Sequence, residues 1–318
     1  MKRGIEESTF KGFRALRMES ELMELIVVPE LGAKIVSLRY KPTGKEWLVD
    51  SGSRFLAPVE YGSEFGQADL SGWDECFPTI VACGYPAEGV YKGALLPDHG
   101  ELWSIPWEAS AYGGELTCKV NGRALPYEFT RSISFLDDNS VRIEYSAANL
   151  SSEPLSVFWC AHPLFVATEQ SRIILPAEVT QLLCVDGGQR LTKGRLYEWP
   201  HGDGSLPRGI DLIGPLAAKD SRKYYVNGRV EEGRTGLIER DSGEYVTLEW
   251  DPVQLPYLGV WIDEGRLIGH QTVCALEPCN GFYDRLDEAY GRGRTVRIEA
   301  NQTERWALHV RLGAQPVE

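Results

Sequence analysis

Glu277 and His162 are the side chains of this sequence best suited to moving protons. Glu277 lies in Ala275-Leu276-Glu277-Pro278-Cys279-Asn280-Gly281-Phe282, and His162 in Cys160-Ala161-His162-Pro163-Leu164-Phe165. A second imidazole, His99, sits in Pro97-Asp98-His99-Gly100-Glu101-Leu102-Trp103. A carboxylate with one or two imidazoles is a minimal set for acid and base chemistry without a cofactor. His162 closes the apolar run Val157-Phe158-Trp159-Cys160-Ala161 just before Pro163, where a strand is expected to end or bulge and release the side chain from a sheet edge into a cleft. A core histidine bonded to a carbonyl would have the same neighbours. Beside His99, Trp103 and Trp107 could wall a pocket or anchor the loop.

The other histidines fit less well. His309 alternates with apolar residues and falls on the polar side of a predicted strand. His201 sits in a Gly/Pro loop without a companion motif. His270 leads into the segment carrying Glu277, but the odd spacing would put the two on opposite faces of one extended strand.

The segment Gly72-Trp73-Asp74-Glu75-Cys76-Phe77-Pro78-Thr79 joins acids and rings. Carboxylates accept hydrogen bonds from hydroxyls and aromatic faces cover C–H surfaces, so Trp73, Asp74 and Glu75 are candidates for binding a hydroxyl-rich ligand. A solvated turn is the alternative reading. Asp74, Glu75 and His99 have suitable donors for a metal, yet no HExxH helix or carboxylate loop accompanies them, so no metal is assigned. No Gly-rich nucleotide fingerprint follows a strand, and no cofactor is expected.

Composition narrows the classes of partner. The chain has 318 residues, 43% of them hydrophobic, enough for a sizeable core. With 33 Lys+Arg against 46 Asp+Glu the formal charge is −13, which disfavours nucleic acid and anionic membranes as partners. Seven cysteines without a CxxC or zinc spacing predict free thiols in a reducing compartment. No signal-like apolar region follows Met1-Lys2-Arg3, and no run approaches a membrane span, so a cytoplasmic protein is expected. Oligomeric state is not legible.

The elements that must position these residues are strands. Val141, Ile143 and Tyr145 alternate with Arg142, Glu144 and Ser146, and Trp306, Leu308, Val310 and Leu312 alternate with Arg305, Ala307, His309 and Arg311. Turn chemistry at Pro42-Thr43-Gly44-Lys45, Asp137-Asp138-Asn139-Ser140 and Asp241-Ser242-Gly243-Glu244 predicts hairpins. One short helix is expected near Leu286 to Tyr290. The Gly/Pro stretch from Trp199 to Pro207 reads as a surface loop, and no repeat of fixed period occurs, so residues 1–318 are expected to form one large antiparallel sandwich.

The segments around His99 and His162, the Leu258-Gly259-Val260-Trp261 run and Ala275-Leu276-Glu277-Pro278 follow one another in the order seen in the aldose 1-epimerase (galactose mutarotase-like) superfamily, which the chain resembles from about Pro29 to Leu312. The resemblance implies an all-β supersandwich with an open cleft on one large sheet. It also implies Glu277 as catalytic base, His162 as general acid, and His99 and Trp261 as substrate contacts. The chain departs from typical galactose mutarotases in having Trp73-Asp74-Glu75 where they have an Asn-Arg pair ahead of the first histidine, and in lacking their Asp-Phe-Arg segment.

The implied activity is that of an isomerase exchanging sugar anomers by acid/base ring opening, with a small-molecule sugar as partner. Its base must be ionised, so a nearby donor or cation is expected. Three alternatives stand beside it: a catalytically silent carbohydrate-binding protein, a lyase or glycoside hydrolase accessory domain, and an epimerase for a phosphorylated or acidic sugar. The last requires a cluster of basic side chains at the cleft mouth, for which Arg14, Lys34 and Arg54 are unplaced candidates.

Overall fold

Alternating apolar residues build two large antiparallel sheets, beside two small two-stranded ones, in the computed structural model, which describes residues 4–206 and 208–316. The larger sheet has twelve strands. Its order runs Gly4–Phe10, Phe13–Glu19, Met23–Val28, Lys34–Tyr40, Trp73–Cys76, Cys160–Ala167, Thr272–Cys279, Tyr257–Glu264, Asp220–Val226, Gln181–Asp186 and Leu196–Glu198, with Lys45–Glu46 beside Lys34–Tyr40. The smaller sheet has eight, from Ser171–Ile174 through Arg234–Glu239, Glu244–Trp250, Thr303–Ala314, Ser140–Asn149, Tyr127–Phe135 and Glu115–Asn121 to Glu108–Tyr112. The three predicted hairpin turns join paired strands, and the short helix spans Leu286–Gly291.

The core lies between the sheets. Val141, Ile143 and Tyr145 point into it, as do Trp306, Leu308, Val310 and Leu312 from the neighbouring strand, while Arg142 and His309 pair on the outer face. Aromatic rings fill the centre: Tyr145 stacks on Trp306 at 5.8 Å, and Trp159 leans on both. One ion pair crosses this core, from Glu75 of the larger sheet to Arg131 of the smaller at 3.0 Å. Tyr145 and the Trp159 indole also donate to Glu75.

The seven cysteines are all free and buried. No helix among the described residues is long and apolar enough to cross a membrane.

The strand through His162 does not end at Pro163, contrary to the expectation from proline. It continues to Ala167 in the middle of the larger sheet, so His162 projects from a sheet face and not from an edge. Its ladder with Thr272–Cys279 is nonetheless interrupted. Cys160 pairs with Cys279 and Leu164 with Ala275, whereas Ala161, His162 and Pro163 make no ladder pairs on that side. Pro163 and Pro278 sit on the two facing strands within this gap, and neither has an N–H to donate. The central proline is tolerated because its neighbour strand gives up the same rungs.

Candidate functional site

Register assembles the site. Between the pairs Cys160 with Cys279 and Leu164 with Ala275, His162 and Glu277 fall opposite one another. Asp74 pairs with His162 on the other side, Gly259 with Glu277, and Tyr225 with Gly259. Lys34 falls next to Asp74, because Ile35 pairs with Trp73. Period two therefore lines Lys34, Asp74, His162, Glu277, Lys223 and Tyr225 along the face of the larger sheet that points away from the smaller one.

His162 Nε2 stands 3.8 Å from Glu277 Oε1, with exposures of only 6% and 0%. Lys223 Nζ reaches Glu277 Oε2 at 2.7 Å and Asp284 Oδ1 at 2.9 Å, and Tyr225 donates to the same Asp284 oxygen at 2.7 Å. Gly259 makes room for this arrangement, since a Cβ there would lie 2.8 Å from Glu277 Oε2. On the far side Lys34 Nζ bonds Asp69 at 2.8 Å and Ser71 O at 3.2 Å, and stands 3.0 Å from Asp74 Oδ2. The second oxygen of each carboxylate, Asp74 Oδ1 and Glu277 Oε1, has no hydrogen-bond donor among the described residues.

Burial and charge set the protonation states. Burial raises Glu277 above the usual glutamate value, with Lys223 opposing it. Burial pulls Lys223 down, but Asp284 and Glu277 more than offset this and hold its ammonium well above the ordinary lysine value. Asp74 is pushed up to about 6 by burial against the pull of Lys34. Burial, reinforced by His99 and the two lysines, holds His162 well below the usual imidazole range, so the ring is neutral near pH 7.

His99 enters from its loop, whose left-handed backbone at φ 56° is uncommon for a non-glycine residue and orients the ring across the cleft. Its Nδ1 lies 3.1 Å from Asp98 Oδ1, and its ring stands edge-on to His162 at 5.0 Å. Phe65, from the irregular segment between Asp50 and Gly72, stacks on His99 at 4.1 Å and meets His162 and Trp103 edge-on. Its N–H bonds Asp98 Oδ2 at 2.8 Å. Phe65 thus packs against both imidazoles, with His162 almost enclosed and His99 partly exposed. Trp103 and Trp107 anchor the His99 loop through indole bonds to Asp98 O and Leu102 O.

The structure brings together Glu277, His162, His99 and Asp74, and places half-buried Trp261 on the same face beside Ala275 and Lys223. It does not bring Trp73 or Glu75 there. Both alternate to the opposite face and are wholly buried, Trp73 against Phe165 and Glu75 with Arg131, so the composition of that segment suggested contacts which the pleat divides between two faces. His270 bonds Asp50 O outside the site. Of the basic candidates, Arg14 pairs with Glu7 and Arg54 donates to backbone carbonyls of Gly66, Ala68 and Leu267, while Lys34 alone reaches the site. Sequence reading missed Lys223, Asp284, Tyr225 and Phe65. The available signal for Lys223 was a strand, Asp220–Val226, that mixes charges with aromatics and is buried throughout. Among the described residues no cluster of three or more His, Cys, Asp or Glu side chains is arranged to hold a metal ion.

No family model matches the sequence, and no curated protein matches it. Solved structures do. The Slr1438 protein from Synechocystis sp. PCC 6803 superposes with a TM-score of 0.69 at 18% identity, covering 99% of this chain and 97% of that one. A galactose mutarotase-like protein from Lactobacillus casei ATCC 334 gives 0.69 at 17% identity, covering 94% of this chain and 100% of its own. A galactose mutarotase related enzyme from Lactobacillus acidophilus gives 0.65 at 15%, with 96% and 99% covered. The chain has the galactose mutarotase-like fold.

Proposed function

We propose that the protein is an aldose 1-epimerase-like isomerase that exchanges sugar anomers at the Glu277–His162 pair. The observation that carries this reading is the convergence of a buried carboxylate and a neutral imidazole, 3.8 Å apart, with the carboxylate's charge sustained by Lys223. Glu277 removes the proton of the C1 hydroxyl while the His162 imidazole, protonated on Nε2, donates to the ring oxygen. A neutral imidazole can polarise an oxygen by hydrogen bonding alone. The C1–O5 bond opens to an aldehyde while the His162 N–H hydrogen-bonds the departing O5; the proton that Glu277 took from O1 then passes to O5, leaving Glu277 ionised and His162 neutral, and closure on the other face reverses each transfer. Asp74 and His99 orient hydroxyls, and Trp261 offers an apolar face. NMR or polarimetric anomer exchange across a panel of aldoses tests the proposal; absence of any acceleration over the uncatalysed rate would refute it.

One observation favours a second reading. Phe65 packs against both imidazoles and restricts their approach to a ligand, as suits a carbohydrate-binding protein without turnover. That reading requires sugar binding without exchange, and the same panel separates the two.

The protonation states dictate a pH profile. Glu277 must be ionised, so the rate falls as pH drops through a value above the 4.5 of an ordinary glutamate. Because His162 acts as the neutral ring, no loss is expected between pH 7 and 9, where an imidazolium acid would fail. Lys223→Met removes the cation beside Glu277 and leaves Asp284 near it, so the acid limb should move to higher pH. A pH–rate series on both proteins checks this, and an unmoved limb would dissociate Lys223 from Glu277.

A further inference from the structure

Resting on the sugar-binding reading of this site, we infer that Asp74 is a specificity-determining acceptor and that the buried site admits only sugars without negative charge, neutral or amino aldoses, while excluding hexuronates and aldose phosphates. The first support is the charge inventory. Asp69, Asp74, Glu277 and Asp284 face only two cations, Lys34 and Lys223, and each lysine is already shared between two carboxylates. Asp98 adds a further carboxylate beside His99, and the histidine facing the centre, His162, is neutral. Among the described residues no arginine pairs with any of these five groups. The site therefore retains excess negative charge, whereas recognition of phosphate or carboxylate calls for uncommitted arginine or lysine donors.

The second support is the direction of the free hydrogen-bonding capacity. Asp74 stands directly across from His162 and is 2% exposed; its Oδ2 meets the Lys34 ammonium at 3.0 Å while its Oδ1 has no donor, and Glu277 likewise offers an unpartnered Oε1 beside the Oε2 that Lys223 holds. A carboxylate has only lone pairs to offer, so its complement is a donor: a sugar hydroxyl or a protonated amine. Buried acceptors left without donors are costly, and a ligand that supplies them gains what the apo site lacks. Lys34 is shared among Asp69, Ser71 O and Asp74 Oδ2, so it anchors Asp74 and is committed against turning towards an anion.

The test compares exchange rates of the wild-type protein on neutral aldohexoses, 2-amino-2-deoxyaldohexoses, hexuronates and aldohexose 6-phosphates, alongside NMR-titrated binding of each. Neutral sugars should be processed at least about tenfold faster than either anionic class, since like charges opposed in a desolvated site are strongly disfavoured. Amino sugars should bind at least as tightly as their neutral parents. Asp74→Asn, which keeps the shape and removes one negative charge, should narrow the neutral-to-anionic ratio severalfold and weaken amino-sugar binding. An anionic sugar exchanged within about threefold of the best neutral one overturns the inference, and an unchanged ratio in a folded Asp74→Asn protein overturns the role of Asp74. If that variant does not fold, the wild-type panel decides alone. Binding of neutral or amino sugars without exchange would defeat the isomerase reading and leave this inference standing, whereas tightest binding of an anionic sugar would defeat the inference whatever the turnover.

Discussion

Replacing Glu277 with Gln is expected to slow anomer exchange by about a hundredfold or more while leaving the protein folded, because the amide keeps the shape of the side chain and loses the ability to accept a proton. The carboxylate's structural role is the buried contact with Lys223, in which the Gln amide oxygen can still accept while Asp284 continues to balance the ammonium. Losing the charge also removes the electrostatic repulsion from Asp284, which opposes ionisation of Glu277. Sugar affinity should therefore stay close to wild type and the loss should appear in kcat, measured by exchange spectroscopy at several sugar concentrations. His162→Asn should lower the rate in the same way. Near wild-type exchange by folded Glu277→Gln would refute the assignment of the base, and a loss of rate in step with a loss of folded protein would make Glu277 structural.

The other large effect is expected far from the chemistry. Glu75 and Arg131 form an ion pair with no exposed surface between the two sheets, and Glu75 also takes hydrogen bonds from Tyr145 and Trp159. Burial raises Glu75 to about 7 even against the pull of Arg131. Glu75→Ala would leave the Arg131 guanidinium buried without its counter-charge and two ring donors without an acceptor. Breaking a buried pair by removing one partner costs about 3 to 5 kcal/mol, and that is the loss expected by denaturant unfolding. Glu75→Gln, which keeps an acceptor oxygen, should cost less. The exchange rate per folded molecule should be unchanged in both variants, because Glu75 points to the opposite face of the sheet from Glu277 and His162. A rate lost without a stability change would instead place Glu75 in the site.

These two carboxylates show where sequence reading succeeds and where it stops. Period-two alternation along Val141 to Ser146 and Arg305 to Leu312, with turn residues at the predicted hairpins, made the all-β class legible, because alternation follows directly from a pleat with one buried face. The order of the short motifs made the fold legible as well, and it picked out Glu277, His162 and His99, which the structure gathers. Trp73, Asp74 and Glu75 are adjacent in sequence and were grouped by composition, yet only Asp74 faces the site; which face a residue takes depends on register with neighbouring strands, and those neighbours, Lys34–Tyr40 and Cys160–Ala167, are remote in the chain. The proline that signalled a strand end at Pro163 marks instead a gap in a ladder shared with Pro278, and that pairing joins strands more than a hundred residues apart.

The remaining features are tertiary. Lys223 reaches Glu277 and Asp284 reaches Lys223 from separate segments, Lys34 reaches Asp74, and Phe65 packs against both imidazoles from a single 3-10 turn too short for a periodicity to read. Residue types and local spacing carry backbone period and reactive chemistry, since both are properties of a few consecutive residues. Charge balance, pKa and access to the site depend on distances between strands far apart in sequence. In this chain it is therefore the assembled sheet that places Lys223 and Asp284 beside Glu277, and Lys34 and Asp69 beside Asp74.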